Sequence, residues 1–206
     1  MTLRDVARSA VREEVLRQAW LLFAERGFEA TTVDQIAAAA GMSRRTFFRY
    51  FGGKDELVLV RLADAGERIA AALAARPSDE SAWVALRRAF DEVVTPQDEK
   101  AAQSRALLRM LRDEPDLRGT VTERRRLWQD LLAPIVAQRR AGAGRPDAAR
   151  GADAAGGAGA SGRATGSGEP ELGAAALSAC ALTCLEAAQE RWADDDRATL
   201  ADLLDG

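Results

Sequence analysis

The pattern of apolar and polar positions in the first part of the chain predicts three helices joined by short turns. Apolar residues recur at three- and four-residue spacing, which is the period of one helix face. Gly27 and Gly41 each end a helix, because glycine readily takes the left-handed conformation that follows a last helical turn. The three predicted helices run over residues 9–26, from a cap at Thr31 or Thr32 to about Ala40, and from a cap at Ser43 to Tyr50.

The helical period continues to the end of the chain, and no stretch has the alternation of a β-strand. We therefore predict an all-α protein of about nine helices. Pro96 is expected to end one helix, and Pro134 to kink or break another near Leu131, because proline lacks the backbone N–H. The later helices are predicted over residues 54–75, 78–96, 98–112, 116–139 and 170–192, with a last short helix capped by Asp194 to Asp196.

Positive charge is concentrated around the third predicted helix. From Gly41 to Lys54 there are four basic residues and no acid. Residues 1–54 hold nine Lys/Arg and six Asp/Glu, whereas the rest of the chain is acidic and brings the net charge to −3. Only a local basic face is needed to neutralise phosphates. A two-helix corner with a positive second helix is the shape that enters the major groove of DNA, so we interpret the protein as a DNA-binding regulator.

The predicted DNA contacts lie on or beside the third helix. Arg44 and Arg45 are expected to face the groove, where arginine can bind guanine O6 and N7 with two hydrogen bonds. A solvated helix face is the alternative for these arginines. Arg4, Arg8 and Arg12 form either an arm that reaches DNA or a solvated helix start. The full set is Thr32, Ser43, Arg44, Arg45, Thr46, Arg49, Tyr50 and Lys54, and beside it Phe47, Phe48 and Phe51 can face a core.

Residues 141–170 differ in composition from the rest of the chain. They contain nine Gly and ten Ala and none of the larger apolar residues, so they cannot bury enough apolar surface to offset the entropy of ordering. We predict a disordered Gly/Ala-rich insert there. We divide the chain into a helix-turn-helix DNA-binding domain, residues 1–54, and a helical ligand-binding and dimerisation domain, residues 55–206.

The sequence contains no histidine, which excludes histidine-based catalytic triads and histidine-liganded zinc. We predict no enzyme activity, metal or cofactor. Cys180 and Cys184 share one helix face and are expected to be buried thiols, with a redox pair or a covalent ligand site as the alternatives. The sequence has no run of about 18 apolar residues, so no membrane span is predicted. No signal peptide is evident either, and a cytoplasmic, nucleoid-associated protein is expected.

The order of these features resembles the tetracycline-repressor (TetR) family of bacterial regulators. The resemblance rests on Leu22-Phe23-Ala24-Glu25-Arg26-Gly27-Phe28, Thr31-Thr32-Val33-Asp34-Gln35-Ile36-Ala37, Gly41-Met42-Ser43, Thr46-Phe47-Phe48-Arg49-Tyr50-Phe51 and Lys54-Asp55-Glu56-Leu57. It implies a dimeric, all-helical repressor with N-terminal DNA-binding heads and C-terminal ligand domains.

The resemblance also implies individual roles. Thr32, Tyr50 and Lys54 match phosphate contacts, Arg44 and Arg45 match base-reading positions, and Thr46 suits either role. Phe48 stands where the family usually has a phosphate-bonding tyrosine, and phenylalanine has no hydroxyl. We expect it to pack or to touch a thymine methyl.

The C-terminal part is similar to mycofactocin-linked TetR regulators of actinobacteria, some of which respond to acyl-CoA thioesters. This implies a small-molecule effector that is apolar or acyl-CoA-like. The predicted pocket residues, for which plain core is the alternative, are Trp83, Phe90, Leu107, Leu111, Trp128 and Leu132.

A homodimer on a palindromic operator is the arrangement that the family implies. A two-fold axis would place two recognition helices in successive major grooves, about 34–36 Å apart. The alternative for the predicted interface residues is an intramolecular core. They are Leu177, Ala181, Leu185, Ala188, Trp192, Leu200 and Leu203.

Three functions follow from these features. The first is a ligand-gated repressor, and the second is a sequence-tolerant structural DNA-binding protein without a ligand response. The third is a helical enzyme or ligand carrier with a vestigial head, against which the missing catalytic and metal-binding clusters argue.

Overall fold

The computed structural model describes residues 2–143 and 169–206, and these residues are helical with no β-strand. The predicted insert at 141–170 falls mostly on residues 144–168, which lie outside the described residues. The described helices are α1 Leu3–Arg26, α2 Val33–Ala39, α3 Arg44–Phe47, α4 Lys54–Ala75, α5 Ala82–Ala89, α6 Asp91–Glu99, α7 Ala101–Asp113, α8 Arg118–Ala143, α9 Glu169–Asp194 and α10 Leu200–Asp205, with a 3₁₀ turn at Pro115–Leu117 before α8. The predicted all-α class is confirmed.

Side-chain caps fix the starts of several helices. At α2, Thr32 Oγ1 accepts from the N–H of Gln35 at 3.2 Å, and the Gln35 side chain accepts from the N–H of Thr32 at 2.9 Å. This reciprocal pair satisfies two backbone donors that the first turn leaves free. Ser43 and Thr199 cap α3 and α10 with single hydrogen bonds. Thr31, the other predicted cap, is buried, and its hydroxyl donates to the carbonyl of Gly27 at 2.7 Å.

Neither proline ends or breaks its helix, and the kink expected at Pro134 stays a prediction. Pro96 lies inside α6 and does not end it, and α8 continues through Pro134 without a break at Leu131. A proline removes one intrahelical hydrogen bond, and burial of the neighbouring side chains holds the helix in place. In α6, for example, Val93 and Val94 are buried on the core side.

Several helix ends also differ from the prediction. α1 begins six residues earlier, at Leu3, because Thr2 supplies a capping box. The predicted fifth helix is divided at Phe90 into α5 and α6. α3 is a single turn that ends at Phe47, and α10 is capped by Thr199 instead of the aspartates at 194–196.

Two apolar clusters form the interior. The head cluster joins α1–α3 to the first half of α4, and it also receives Leu111 from α7 and Leu117 from the 3₁₀ turn before α8. The body cluster joins the second half of α4 to α5, α6, α8, α9 and α10, with α8 and α9 lying side by side. α4 therefore crosses both clusters and connects them. The domain boundary at residue 54 stays a prediction.

The longest apolar helix is α9. Among the described helices it is the one with the length and composition to cross a membrane, with a mean hydropathy of 1.3 in its most apolar window. Its buried side packs in the body cluster. Cys180 and Cys184 lie on the opposite, exposed side as free thiols, so the prediction of buried thiols is wrong. The buried side is defined instead by Ala181, Leu185 and Ala188.

Candidate nucleic-acid interface

The turn between α2 and α3 is held by backbone hydrogen bonds. Gly41 has a φ of +68°, a conformation that other residues rarely adopt. The next residue, Met42, donates its N–H to the carbonyl of Ala37 at 2.9 Å and so closes the end of α2. Ser43 then accepts from the N–H of Thr46 at 3.1 Å and starts α3. The result is the tight helix-turn-helix corner that the sequence predicts.

Aromatic side chains on the inner side of the corner pack it against the head cluster. Phe47 and Phe51 are fully buried in the head cluster, with ring centroids 5.7 Å apart. Phe48, expected to be able to face the core, is instead 46% exposed, and its ring packs edge-to-face against Phe47 with the centroids 5.5 Å apart. It is therefore placed on the same outer surface as the arginines.

Arg44 and Arg45 point outward from the first turn of α3. Arg44 Nη1 lies 2.9 Å from Asp34 Oδ2 at the start of α2, and its guanidinium lies 5.4 Å from the centroid of Phe48. These contacts fix the direction of the side chain while leaving it 61% exposed. Arg45 is exposed and has no ion-pair partner among the described residues. Thr46 is half-buried, and its hydroxyl lies 2.9 Å from that of Ser43.

Arginines from α1 lie beside the end of the helix-turn-helix. Arg12 Nη1 donates to the carbonyl of Tyr50 at 3.2 Å, and Arg8 and Arg49 lie 5.9 Å and 5.5 Å from the Tyr50 ring. Arg4, Arg8 and Arg49 border a surface groove of about 450 Å³ that has no acidic residue in its lining. This strip continues the positive surface of α3 away from the corner.

Lys54, whose predicted phosphate contact stays a prediction, also makes contacts within the head. Its ammonium donates to the carbonyl of Phe28 at 2.7 Å and lies 4.3 Å from the Phe28 ring. The lysine thus ties the start of α4 to the turn between α1 and α2. In this structure it is a structural link within the head, and a phosphate contact would share the ammonium with these partners.

The predicted pocket residues do not line one cavity. Phe90, Trp128 and Leu132 are packed in the body cluster, and Leu107 packs against the head cluster. Trp83 is 45% exposed, because it lies on the outer side of α5. Leu111 alone among the six lines the cavity described below.

The predicted interface residues are mostly buried within the chain itself. Their burial corresponds to the alternative of an intramolecular core, because the face of α9 with the larger side chains packs against α8 and α10. Leu177 and Leu203 are half-buried, and the others are in the body cluster: Ala181, Leu185, Ala188, Trp192 and Leu200. The free surface of α9 instead carries small and apolar residues that include Leu172, 72% exposed, together with charged residues such as Glu190 and Arg191.

A cavity of about 410 Å³ lies between α7, α8 and α9. Arg124 in its wall has a 7% exposed side chain and bonds Glu186, and burial lowers the pKa of this guanidinium. Sequence reasoning missed this site. Its signal was Arg124 itself, which lies three residues after Val121 and four before Trp128, on the apolar side of α8.

Comparison with known proteins agrees with this architecture. Residues 15–60 match the N-terminal domain of bacterial regulatory proteins of the tetR family, and residues 80–150 match the MftR C-terminal domain. The chain therefore has the helix-turn-helix head and the helical body of one family in the expected order.

Named relatives support the same assignment. The HTH-type transcriptional regulator TcmR of Streptomyces glaucescens is 33% identical over 143 residues, which is 66% of this chain and 63% of TcmR. MftR of Mycobacterium tuberculosis, named for transcriptional regulation of mycofactocin biosynthesis, is 30% identical over 66% of this chain and 68% of MftR. FadR of Thermus thermophilus, a TetR-family repressor solved with lauroyl-CoA, shares the fold with a TM-score of 0.57 and 23% identity, covering 94% of this chain and 89% of FadR.

The chain belongs to the TetR family of bacterial regulatory proteins. It is a DNA-binding transcriptional regulator, and its named relatives are regulators and not enzymes. Proteins of this class act in the cytoplasm, which is also the location of this chain.

Proposed function

We propose that this regulator is a repressor that binds a palindromic operator as a homodimer and leaves it when a small apolar or acyl-CoA-like molecule binds the body. Its place of action would be the nucleoid. The proposal rests chiefly on one observation: the outer surface of the α2–α3 corner presents the exposed guanidiniums of Arg44, Arg45 and Arg49 above a fully packed aromatic base.

The chemistry of this surface suits DNA in two ways. Arg44 and Arg45 lie in the first turn of α3, the part of a recognition helix that contacts base edges. Arginine at such a position discriminates between bases by about 1–3 kcal/mol for a good two-bond contact with guanine. Arg49, Tyr50 and the hydroxyl of Thr32 flank the corner, where contacts to phosphate fix the register without reading sequence.

The free surface of α9 supports a homodimer. Leu172, Ala176, Cys180 and Ala187 are exposed on it, and the apolar composition of the helix favours coverage by a second apolar surface. A second copy related by a two-fold axis would present the same patch, as an isologous interface requires. Small side chains let two helices approach closely.

An effector response is supported by the match of residues 80–150 to the MftR C-terminal domain. A ligand can release DNA only if it binds the DNA-free form more tightly, since allosteric coupling is a difference in affinity. FadR of T. thermophilus, which shares the fold, is solved with lauroyl-CoA, and this compound is therefore a suitable first probe.

A fluorescence-anisotropy titration tests the proposal. The purified protein is titrated onto the intergenic DNA beside its own gene and onto scrambled DNA of the same length, with and without a panel of acyl-CoAs. We expect binding to a palindromic site about 10³-fold tighter than to scrambled DNA, two chains for each site, and release by one ligand class.

The other outcomes are equally informative. Equal affinity for both DNAs at physiological salt would contradict the operator and favour the sequence-tolerant binder. Tight, specific binding that no compound reverses would contradict the effector part alone. One chain for each bound site would contradict the homodimer.

A further inference from the structure

We propose that the cavity between α7, α8 and α9 is the effector site, and that it takes an amphipathic anion whose negatively charged group binds Arg124 and Arg125. This inference rests on the proposed function for its regulatory role, but the binding itself is independent of DNA. The shared chemistry is an acidic head on an aliphatic chain, either a fatty carboxylate or a fatty acyl-CoA.

The cavity wall contains several arginines. Glu186 Oε1 and Oε2 each lie 2.8 Å from a guanidinium nitrogen, the first from Arg124 and the second from Arg125. One carboxylate therefore serves two cations. Arg118 and Arg112 also line the cavity, and Glu190 is the one further acid in its lining. Arg112 is paired with Asp113 and Asp194, and the rest of the lining holds three guanidiniums and two carboxylates, which favours an anionic occupant.

Arg124 also has an unused hydrogen-bond donor. Arg124 is buried, and its Nε–H has no acceptor within the described residues. A buried donor without a partner costs about 1–3 kcal/mol, and more in a charged group. A carboxylate or phosphate oxygen in the cavity would supply the missing acceptor with a charge-assisted bond.

Part of the cavity wall is apolar. Leu108, Leu111, Val121 and Ala193 line the same cavity as the arginines. A volume of about 410 Å³ is within the range of small-molecule sites, about 300–1,000 Å³. Aliphatic and cationic surfaces thus lie within one space of suitable size, which matches a chain with an acidic end.

The cavity also contacts residues that connect the body to the DNA-binding head, through the head cluster and through α4. Leu111 and Val121 line it and at the same time pack in or against the head cluster. The guanidinium of Arg124 lies 5.3 Å from the ring of Trp128, whose Nε1 donates to the carbonyl of Leu62 in α4. An anion that changes the position of Arg124 would therefore act directly on the helix that carries the head.

Direct binding measured by isothermal titration calorimetry tests the site. The probes are dodecanoate and lauroyl-CoA, with dodecanol and dodecyltrimethylammonium as neutral and cationic controls of the same chain length, all below their aggregation concentrations. The variants are Arg124→Met, which removes the charge and keeps the length, and Val121→Phe, which fills the apolar part. Arg126→Ala is the matched control, since Arg126 is exposed on α8 and does not line the cavity.

We expect at least one anionic probe to bind, and the neutral and cationic probes to bind about tenfold or more weakly. Arg124→Met should weaken the anion about tenfold or more, because a hydrogen bond to a charged group contributes at least that much. Val121→Phe should weaken it too, and Arg126→Ala should not. Binding of lauroyl-CoA alone would identify the phosphates of coenzyme A as the acidic group, and binding of dodecanoate alone would identify the carboxylate. Binding of both would show that the arginines accept either anion.

Equal binding of all four probes, or unchanged anion affinity in both cavity variants, would overturn the site. So would no binding of either anion. Operator affinity without a probe, measured on the same preparations, separates this result from the proposed function: intact DNA binding with no anion binding removes the cavity proposal and leaves the regulator. If Arg124→Met does not fold, Val121→Phe carries the test.

Discussion

The indole nitrogen of Trp128 lies 2.7 Å from the carbonyl oxygen of Leu62. The same ring packs over Gly66, one helical turn further along α4. A β-carbon built on Gly66 would lie 2.6 Å from the indole nitrogen, which no packed side chain tolerates. The contact between α4 and α8 therefore depends on a residue without a side chain.

This contact predicts opposite effects of the same substitution at two glycines. Gly66→Ala should lower the free energy of unfolding by about 1–3 kcal/mol, because an overpacked core costs more than the gain in helix propensity. Gly119→Ala, in the first turn of α8 with open space around it, should be neutral or stabilising by up to about 1 kcal/mol. Urea-induced unfolding measures both, and equal destabilisation would contradict the packing account.

Base reading should depend on the two arginines at the start of α3. We expect Arg44→Ala combined with Arg45→Ala to abolish the preference for the operator over scrambled DNA, with an unchanged circular dichroism spectrum. Each good contact to guanine contributes about 1–3 kcal/mol of discrimination. Arg17→Ala, an exposed arginine on α1 that is paired with Glu14, is the control. A double variant that keeps its preference would assign base reading to other residues.

The strip of arginines on α1 should contribute affinity without specificity. Arg4→Ala combined with Arg8→Ala is expected to reduce the slope of log affinity against log salt by about 2, since each phosphate contact contributes about 0.9. The ratio of operator to scrambled affinity should stay the same. Anisotropy titrations at several salt concentrations measure both quantities. An unchanged slope would make these residues a solvated helix start.

Acid should weaken the link between α4 and α5. Hydrogen bonds from Arg76 lower the pKa of Glu80 from 4.5 to about 2. Because the pKa of Glu80 is lower in the folded state, its ionised carboxylate stabilises the fold fully above the unfolded-state pKa. This stabilisation is lost as pH falls from about 4.5 to about 2. In Glu80→Gln this part of the pH dependence should be missing. Thermal unfolding from pH 7 to pH 2 tests it, with Glu92→Gln, exposed on α6, as control.

The head was largely predictable because its signals are local. Gly41, Ser43 and the spacing of Phe47 and Phe51 depend on backbone conformation and helix period within a few residues. Lys54 shows the limit of such reasoning. Its bond to the carbonyl of Phe28 joins residues 26 positions apart, and no local pattern indicates it.

The body was harder to predict because its cavity is formed by three helices. The apolar stripe of α9 was recognised, but periodicity alone does not tell whether a stripe faces the same chain or another one, and Leu185 and Trp192 proved to be internal. Arg124 was overlooked for a related reason. A charged residue is expected on the solvated face, although the spacing to Trp128 places it inside.

Gly66 is the one glycine of α4, and its position under Trp128 has a geometric consequence. A shift of α4 along α8 by one helical turn, about 5.4 Å, would bring Leu62 or Ala70 beneath the indole. Neither leaves room for the ring. The missing methyl group thus sets the axial register of the connecting helix, and in a two-fold assembly this register would set the distance between the two recognition helices.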